Sequence, residues 1–290
     1  MKPTKSLLPF LFIGLALAPS ALLASPITSC QRQAESQTVQ RARMEPSRIE
    51  MHHSNYVLPI SYSSHPNQDQ FKYIQKDSII DPFESKYQLS FKINLTGSNE
   101  RDANGLYIAY TQTSWWQTYN GGASRPFRET NYLPEFFWQF SGWDSELFGF
   151  SNRFNRLSLA HLSNGSTRPR SRTRNYLYLA TTWEQGPWQL ELMPRIKLPD
   201  IREGEANPDL EQYIGHLDAK LIYQARNQHL YSLAAKGNPL YGHFGVQLDW
   251  SFPLYQGIHG LVQFYGGYAE SLIDYNHENY RLSLGFSFPP

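Results

Sequence analysis

Cysteine is almost absent from this chain, and so are long apolar segments and any excess of charge. Cys30 is the single cysteine, so an intrachain disulfide framework is excluded. The net charge is +1, which gives no electrostatic argument for nucleic-acid binding. Beyond the N-terminus no apolar run reaches the roughly 18–20 residues that a membrane-spanning helix needs, which argues against a helical membrane protein.

Aromatic residues, in contrast, make up 15% of the chain, and tyrosine alone contributes 19. The mean hydropathy is −0.52. A polar average with many aromatics is typical of a transmembrane β-barrel, because half of each strand faces a polar lumen. Soluble all-β proteins have the same composition, so composition leaves both classes open.

The N-terminus has the order of a secretory signal peptide. Two lysines precede the apolar residues 7–18, and small residues follow. We expect a signal peptide over residues 1–25, cleaved near its end, rather than a buried helix. Residues 26–54 are polar and aperiodic, which predicts a flexible or loosely packed arm. Cys30 lies in this arm after a poor match to lipoprotein signals, so a spectator cysteine is expected rather than a lipid-modified one.

Several later segments alternate strictly between apolar and polar residues, notably 86–95, 243–252 and 281–288. A period of two over about nine residues indicates a strand with one apolar and one polar face. Strands of soluble proteins usually have about 5–6 residues, whereas a tilted membrane-spanning strand needs about 9–11. Trp and Tyr near the strand ends fit an interfacial girdle, although a sandwich core would also hold them. Length and export together favour the membrane barrel.

We therefore predict an all-β fold, a transmembrane antiparallel β-barrel of about 12 strands, over residues 55–290. An even number of strands closes such a barrel and removes the edges that lipid cannot solvate. The predicted strands are 55–62, 85–95, 105–118, 132–141, 154–164, 174–184, 187–197, 211–226, 229–238, 241–253, 257–271 and 278–288. Polar side chains are expected to fill most of the lumen. Its charges are predicted to form ion pairs, with a pore lining as the alternative; they include Lys86, Lys92, Glu191, Asp218 and Lys220.

Two polar residues share a strand face with leucines. Leu157, Leu159, His161 and Ser163 lie on one face because strand side chains alternate. If the leucines face lipid, a histidine and a serine face it too, close enough for the imidazole to activate the hydroxyl.

The following strand places an amide on the same outer face. Asn175 shares its face with Leu177 and Leu179, and it could orient His161 as the asparagine does in Cys-His-Asn proteases. Strand ends are also rich in Ser, Asn and Gly simply because hairpins turn there. Three polar groups directed at lipid nevertheless favour a functional site.

These residues belong to blocks that resemble outer-membrane phospholipase A. The blocks, in family order, are residues 110–117 (YTQTSWWQ), 126–132 (PFRETNY), 161–165 (HLSNG) with 171–175 (SRTRN), and 267–276 (GYAESLIDYN). The resemblance spans about residues 55–288. It implies a twelve-stranded barrel in the outer membrane of a Gram-negative envelope, with its active site on the outer-leaflet side.

The resemblance also implies the chemistry. Ser163 would be the nucleophile, His161 the base, Asn175 its orienter, and the backbone N–H of Gly165 part of the oxyanion site. The implied reaction is calcium-dependent hydrolysis of either acyl ester (A1 and A2 activity) of phospholipids such as phosphatidylcholine and phosphatidylethanolamine, and of lysophospholipids. The implied Ca²⁺ ligands are the Ser171 hydroxyl, the Ser166 carbonyl and, from a second subunit, the Ser124 carbonyl.

Two positions depart from the family pattern. Residue 166 is Ser where the family usually has Arg, a change that a backbone ligand tolerates. Residue 168 is Arg where an acidic residue is familiar, which puts in doubt any calcium site that needs a carboxylate there.

Gln112 bears on the oligomeric state. It shares a face with Leu106, Ile108 and Tyr110, and an amide in lipid gains an identical partner in a symmetric dimer. Alternatively, Gln112 lies high enough in the barrel wall to reach the lipid headgroups. We expect a resting monomer that becomes active as a homodimer. The competing hypotheses for the whole chain are a porin-like channel and a structural or adhesin barrel, and neither requires the His161, Ser163 and Asn175 arrangement.

Overall fold

Twelve long strands form one closed antiparallel sheet in a computed structural model, which describes residues 49–96, 104–199 and 207–288. The strands are β1 (Asn55–Ser63), β2 (Phe83–Asn94), β3 (Gly105–Trp116), β4 (Phe127–Ser141), β5 (Phe150–Ser163), β6 (Thr173–Gln185), β7 (Trp188–Lys197), β8 (Leu217–Gln224), β9 (Leu230–Asn238), β10 (His243–Tyr255), β11 (Ile258–Gly267) and β12 (Asn279–Phe288). A two-residue strand, Glu146–Leu147, pairs with the start of β5. The short helices are Gln68–Phe71, Gly121–Ala123 (3₁₀) and Leu210–Ile214. None of the helices in the described ranges is long and apolar enough to cross a membrane.

Each strand pairs with its neighbours in the chain, and β1 pairs with β12 to close the barrel. The closing register runs from Arg281 opposite Ser63 to Phe288 opposite Asn55. The predicted all-β barrel of twelve antiparallel strands is therefore confirmed.

Side chains on β4 illustrate how the alternating pattern divides the two faces. Phe136 and Trp138 are 47% and 52% exposed on the outer surface. Between and beyond them, Phe137 and Gln139 are fully buried inside. The outer surface is apolar because lipid rather than water surrounds it, while the lumen accepts polar groups that pair with one another.

One predicted strand is wrong in its first part. Residues 211–214, predicted as the start of a strand, belong to the helix Leu210–Ile214, and β8 begins only at Leu217. Gly215 between them has φ +68°, and a Cβ there would lie 1.8 Å from the Gly237 carbonyl oxygen. The chain therefore turns into β8 at a position that only glycine fits.

The lumen holds ion pairs of four of the charges predicted to form them, whereas Lys220 has no ion pair within the described residues. Lys86 Nζ lies 3.2 Å from Glu270 and Lys92 Nζ lies 3.4 Å from Glu50. Arg156 pairs with Glu191, and Arg195 pairs with Asp218. The lumen is less filled than predicted, because a cavity of about 1300 Å³ lined by charged and polar residues remains.

The sheet begins before the first barrel strand. Ile49–Met51 pairs with β2, with Ile49 opposite Ile93 and Met51 opposite Phe91. These residues belong to the compact unit Ser47–Pro290. The predicted signal peptide, Cys30 and most of the predicted arm lie outside the described residues and stay predictions.

Candidate active site

His161 on β5 and Asn175 on β6 lie directly opposite each other in the strand register. His161 Nδ1 is 2.6 Å from Asn175 Oδ1, a short hydrogen bond between the ring and the amide. Facing positions on adjacent antiparallel strands bring Cβ atoms to about 4.5–5.5 Å, so the register itself creates this contact.

Ser163 is two residues beyond His161 on the same face of β5. Its register neighbours are Thr173 on β6 and Tyr132 on β4. Within the described part of the chain, no hydrogen bond joins the Ser163 hydroxyl to the His161 ring. Such catalytic bonds commonly tighten only when substrate is bound.

The strand face that carries these residues is the outer one. Leu157 and Leu159, on the same face as His161, are 42% and 49% exposed, and His161 is exposed as well. Ser158 and Ala160, on the other face, are buried. The structure therefore places the three residues on the outer wall, at the end of the barrel where β5 turns into β6, with His161 and Asn175 in contact.

Asn164 organises the loop that follows Ser163. Its Oδ1 accepts hydrogen bonds from the backbone N–H of Arg172 at 2.9 Å and of Ser166 at 3.3 Å. Its Nδ2 donates to the Arg170 carbonyl at 2.8 Å. The sequence analysis gave Asn164 no role of its own. The buried amide fixes the loop against the end of Ser163's strand.

Gly165 has a conformation that favours glycine. Its φ is +62°, and a Cβ would lie 3.0 Å from Cε2 of Tyr132, the register neighbour of Ser163. Any other residue would strain the backbone and press on this ring. Glycine at position 165 therefore lets the chain stay close to the barrel wall two residues after Ser163, the candidate nucleophile.

Arg170 ties the same loop to the base of the preceding hairpin. Its Nη2 donates to the Arg128 carbonyl at 2.7 Å and lies 3.6 Å from Glu129 Oε2. Burial lowers the pKa of Arg170, and the Glu129 carboxylate opposes that shift. The loop is thus held from both ends by side chains rather than lying free over the barrel mouth.

The predicted Ca²⁺ ligands lie on two loops at this end of the barrel. Ser166 and Ser171 share the loop after β5, both partly exposed. Ser124 is exposed and ends the 3₁₀ helix Gly121–Ala123 with a left-handed φ of 59°. Arg172 Nη1 donates to the Ser171 carbonyl at 2.9 Å, which leaves the Ser171 hydroxyl as that residue's available oxygen.

Gln112 lies two strands from Ser163, at the same level of the wall. It faces Tyr132 in the register, and Tyr132 faces Ser163. Its amide has partners within the chain, because Tyr110 OH donates to Oε1 at 3.0 Å and Nε2 donates to Ser114 Oγ at 3.2 Å. The argument from the sequence for a dimer, which assumed that the Gln112 amide needs a partner from a second subunit, is therefore weakened.

Comparison with known proteins decides the family. The family model for phospholipase A1 matches residues 31–288. The chain belongs to the phospholipase A1 family. Phospholipase A1 of Klebsiella pneumoniae is 34% identical over 80% of this chain and 79% of its own length. A relative from Neisseria meningitidis is 32% identical over 83% of this chain, which spans 65% of that protein.

Solved structures agree with this membership of the phospholipase A1 family. Outer membrane phospholipase A from Escherichia coli superposes with a TM-score of 0.76 at 31% identity, covering 83% of this chain and 98% of that one. An outer membrane phospholipase from Salmonella typhi, solved as a dimer with bound calcium, has a TM-score of 0.77 at 31% identity over 84% of this chain and 93% of that one. A further E. coli structure is an active-site mutant in which an asparagine is replaced by alanine.

Family and fold together make this chain an outer-membrane β-barrel phospholipase, an enzyme that hydrolyses phospholipid esters. The channel and adhesin hypotheses are therefore not needed to account for the barrel. The identity of the catalytic residues is a separate question, which rests on the geometry of His161, Ser163 and Asn175.

Proposed function

We propose that the chain is a calcium-dependent phospholipase that cleaves either acyl ester of glycerophospholipids, and of lysophospholipids, with Ser163, His161 and Asn175. Phosphatidylcholine and phosphatidylethanolamine are the expected substrates. The observation that carries this proposal is the 2.6 Å bond between His161 and Asn175 on the outer wall, beside Ser163. Polar groups such as this imidazole and amide are costly to expose to lipid, so their presence on the outer wall indicates a function.

The Asn175 contact sets the tautomer of the base. An amide oxygen can only accept, so His161 Nδ1 must carry the proton that Asn175 Oδ1 receives. Nε2 is then unprotonated and can accept the proton of Ser163. Asn175 therefore acts as a positioning residue, in agreement with the asparagine that is an active-site residue in the E. coli protein.

The reaction follows from these assignments. Ser163 Oγ attacks the ester carbonyl as its proton passes to His161 Nε2, and the C–O bond to glycerol breaks as His161 returns that proton to the leaving alcohol. Water then attacks the acyl-serine and loses a proton to His161, and the bond from Ser163 Oγ to the acyl carbon breaks as His161 returns that proton to Oγ, which releases the fatty acid and restores the serine. The backbone N–H of Gly165 is available to the oxyanion, because its positive φ keeps the loop beside Ser163.

The donor set in the two loops fits Ca²⁺. The ion prefers six to eight hard oxygens, and Ser171 supplies a hydroxyl while Ser166 and Ser124 supply carbonyls. Bound there, calcium would polarise the ester carbonyl and stabilise negative charge on its oxygen. None of these three ligands is a carboxylate, and the Arg172 guanidinium lies against Ser171. We therefore expect weak binding, with water completing the shell.

We infer that activity requires a dimer, since Ser124 would come from the second subunit. Gln112 and the site lie at one level of the wall, so a symmetric contact through β3 would bring two sites together. Its internal bonds to Tyr110 and Ser114 would be exchanged for bonds across the interface. A monomer lacking the Ser124 oxygen would be the resting form.

The active site is inferred to face the outer leaflet. Long loops lie at its end of the barrel, including 64–82 and 268–278, whereas two connections at the other end, 186–187 and 256–257, have two residues each. Outer-membrane barrels have long extracellular loops and short periplasmic turns. Lipids of the outer leaflet would then reach Ser163 by lateral movement.

Fatty-acid release from phospholipid micelles, with Ca²⁺ or with a chelator, tests the proposal. Ser163→Ala is expected to lower kcat by roughly 10³-fold or more. Ser158→Ala is the matched control, because Ser158 lies on the inner face of the same strand and its hydroxyl is buried without a hydrogen bond in the described structure. Undiminished activity in Ser163→Ala, or full activity in chelator, would refute it.

A further inference from the structure

Two histidines and a glutamate meet inside the barrel, away from the lipid-facing site. His52 Nε2 lies 2.9 Å from Glu135 Oε2, and His53 Nε2 lies 3.9 Å from the same oxygen. One ligand atom from each of the three residues lies within 4.8 Å of the others. Nitrogen and oxygen ligands about 2.0–2.2 Å from a tetrahedral ion are separated by distances of this order.

We propose that His52, His53 and Glu135 form a lumenal binding site for a zinc-like divalent transition metal. Imidazole nitrogens select such ions over Ca²⁺ and Mg²⁺, which prefer oxygen ligands. Two histidines and one carboxylate leave a fourth tetrahedral position for water. The site is separate from the Ca²⁺ ligands proposed above, which are neutral oxygens on exterior loops.

A bulge in the backbone directs both histidines inward. Met51 pairs with Phe91, and Tyr56 pairs with Gln88. Between these two pairs the N-terminal segment advances five residues while β2 advances three. The two surplus residues interrupt the strand where His52 and His53 lie. Bulges re-aim side chains in this way and recur beside functional sites.

Hydrogen bonds within the protein hold this bulge in place without a bound ion. The His53 N–H donates to Ser90 Oγ at 3.0 Å, and Gln88 Nε2 donates to the Ser54 carbonyl at 2.8 Å. Asn55 bonds the Ser90 backbone on both sides, at 2.6 and 3.1 Å. A site whose ligands are already held loses little conformational entropy on binding.

The groups around the ligands also fit a metal centre. Tyr178 OH donates to the other oxygen of Glu135, which orients that carboxylate, and His52 stacks on Phe137 with ring centroids 5.3 Å apart. Outer hydrogen bonds of this kind commonly orient metal ligands. Arg156, which is paired with Glu191, has its Nη1 3.5 Å from His52 Nδ1, on the side of the ring away from Glu135.

The cavity provides a route to the site. Both histidines line the space of about 1300 Å³ in the lumen. Because Glu135 belongs to β4 and the histidines precede β1, a bound ion would join the N-terminal segment to a wall strand that does not pair with it. The proposed metal is therefore a structural link rather than a catalytic one.

The test is titration of the refolded, metal-free full chain in detergent with Zn²⁺, followed by calorimetry, and with Co²⁺, followed by visible absorption. One ion per chain and a tetrahedral Co²⁺ spectrum are expected. Loss of an outer-shell partner already weakens metal sites by roughly 10–100-fold, so His53→Ala is expected to weaken Zn²⁺ by about 100-fold or more. The control is His259→Ala, a histidine that lines the same cavity beside Ser251.

Full-strength binding in His259→Ala together with its loss in His53→Ala would support the site. Absence of stoichiometric binding to the unaltered chain, or equal binding in His53→Ala, would overturn it. Far-UV circular dichroism of each variant establishes that the barrel has folded. Glu135→Gln, which keeps the shape of the side chain, provides a second ligand variant with the same expected loss.

Discussion

Replacing Asn175 by alanine removes the side chain that is hydrogen-bonded to His161 Nδ1. The bond is 2.6 Å long and becomes charge-assisted when His161 accepts the serine proton. Hydrogen bonds to charged groups contribute about 1.5–3 kcal/mol. At about 1.36 kcal/mol for each factor of ten in rate, Asn175→Ala is expected to lower kcat by roughly 10–150-fold. KM should change little, because the amide orients the base rather than binding lipid.

The assay is initial-rate release of fatty acid from mixed micelles at saturating Ca²⁺. Leu177→Ala is the matched control, since Leu177 lies on the same outer face two residues along β6 and should leave kcat unchanged. The tautomer argument is refuted if Asn175→Ala retains kcat within twofold of the unaltered chain. A change in KM with kcat unaltered would also contradict the tautomer argument.

Asn175→Asp gives the same argument a directional test. A carboxylate beside His161 stabilises the imidazolium relative to the neutral ring. A base must be unprotonated to act, so the acid limb of the kcat/KM profile is expected to move to higher pH. Activity near the top of the profile should stay well above that of Asn175→Ala. A limb that moves to lower pH would contradict the assigned contact.

Three further perturbations address calcium, dimerisation and the lumen. Ser171→Ala is expected to raise the Ca²⁺ concentration for half-maximal activity by about tenfold, the loss of one oxygen ligand from a weak site; an unchanged requirement would exclude that hydroxyl. Gln112→Ala should reduce the dimer cross-linked in detergent with Ca²⁺ and substrate, whereas undiminished cross-linking would exclude the amide. Glu270→Gln removes the carboxylate that lies 3.2 Å from the buried Lys86 and 2.8 Å from Arg281, which keeps its second ion pair with Glu84, and should destabilise the barrel by about 3–5 kcal/mol in urea unfolding. Burial alone would raise the pKa of Glu270, but Arg281 and Lys86 outweigh it and hold the pKa below its ordinary value. This stabilisation is present at neutral pH and lost as pH falls below about 4, so the variant should show less acid sensitivity.

Period-two alternation predicted the barrel well because each strand has one environment on each face. The face shared by Leu157, Leu159 and His161 follows directly from that rule, and so does the pairing of β5 with β6. The helix Leu210–Ile214 was not predicted, although its apolar residues Leu210, Tyr213 and Ile214 have helical spacing and do not continue the alternation of β8. The determinant is Gly215, whose backbone is shaped by contact with Gly237 on a neighbouring strand.

Contacts between distant parts of the chain could not be predicted from one sequence. The alignment of His161 with Asn175 depends on the register, which the length of the intervening loop does not determine. Asn164 uses its side chain to shape that loop, and nothing in the Asn-Gly pair distinguishes this role from an ordinary turn. The approach of His52 to Glu135 depends on a strand bulge, which has no clear mark in the local pattern.

The seam between the first and last strands has a consequence for biogenesis. Ser61 and Ser283, whose hydroxyls lie 2.7 Å apart in the lumen, are separated by 222 positions. Every other strand can find its partner next to it in the chain, but this pairing must wait until the final strand has been delivered. Closure is therefore a late event in folding, and a chain shortened by its last ten residues would present two open edges to the bilayer rather than a slightly smaller barrel.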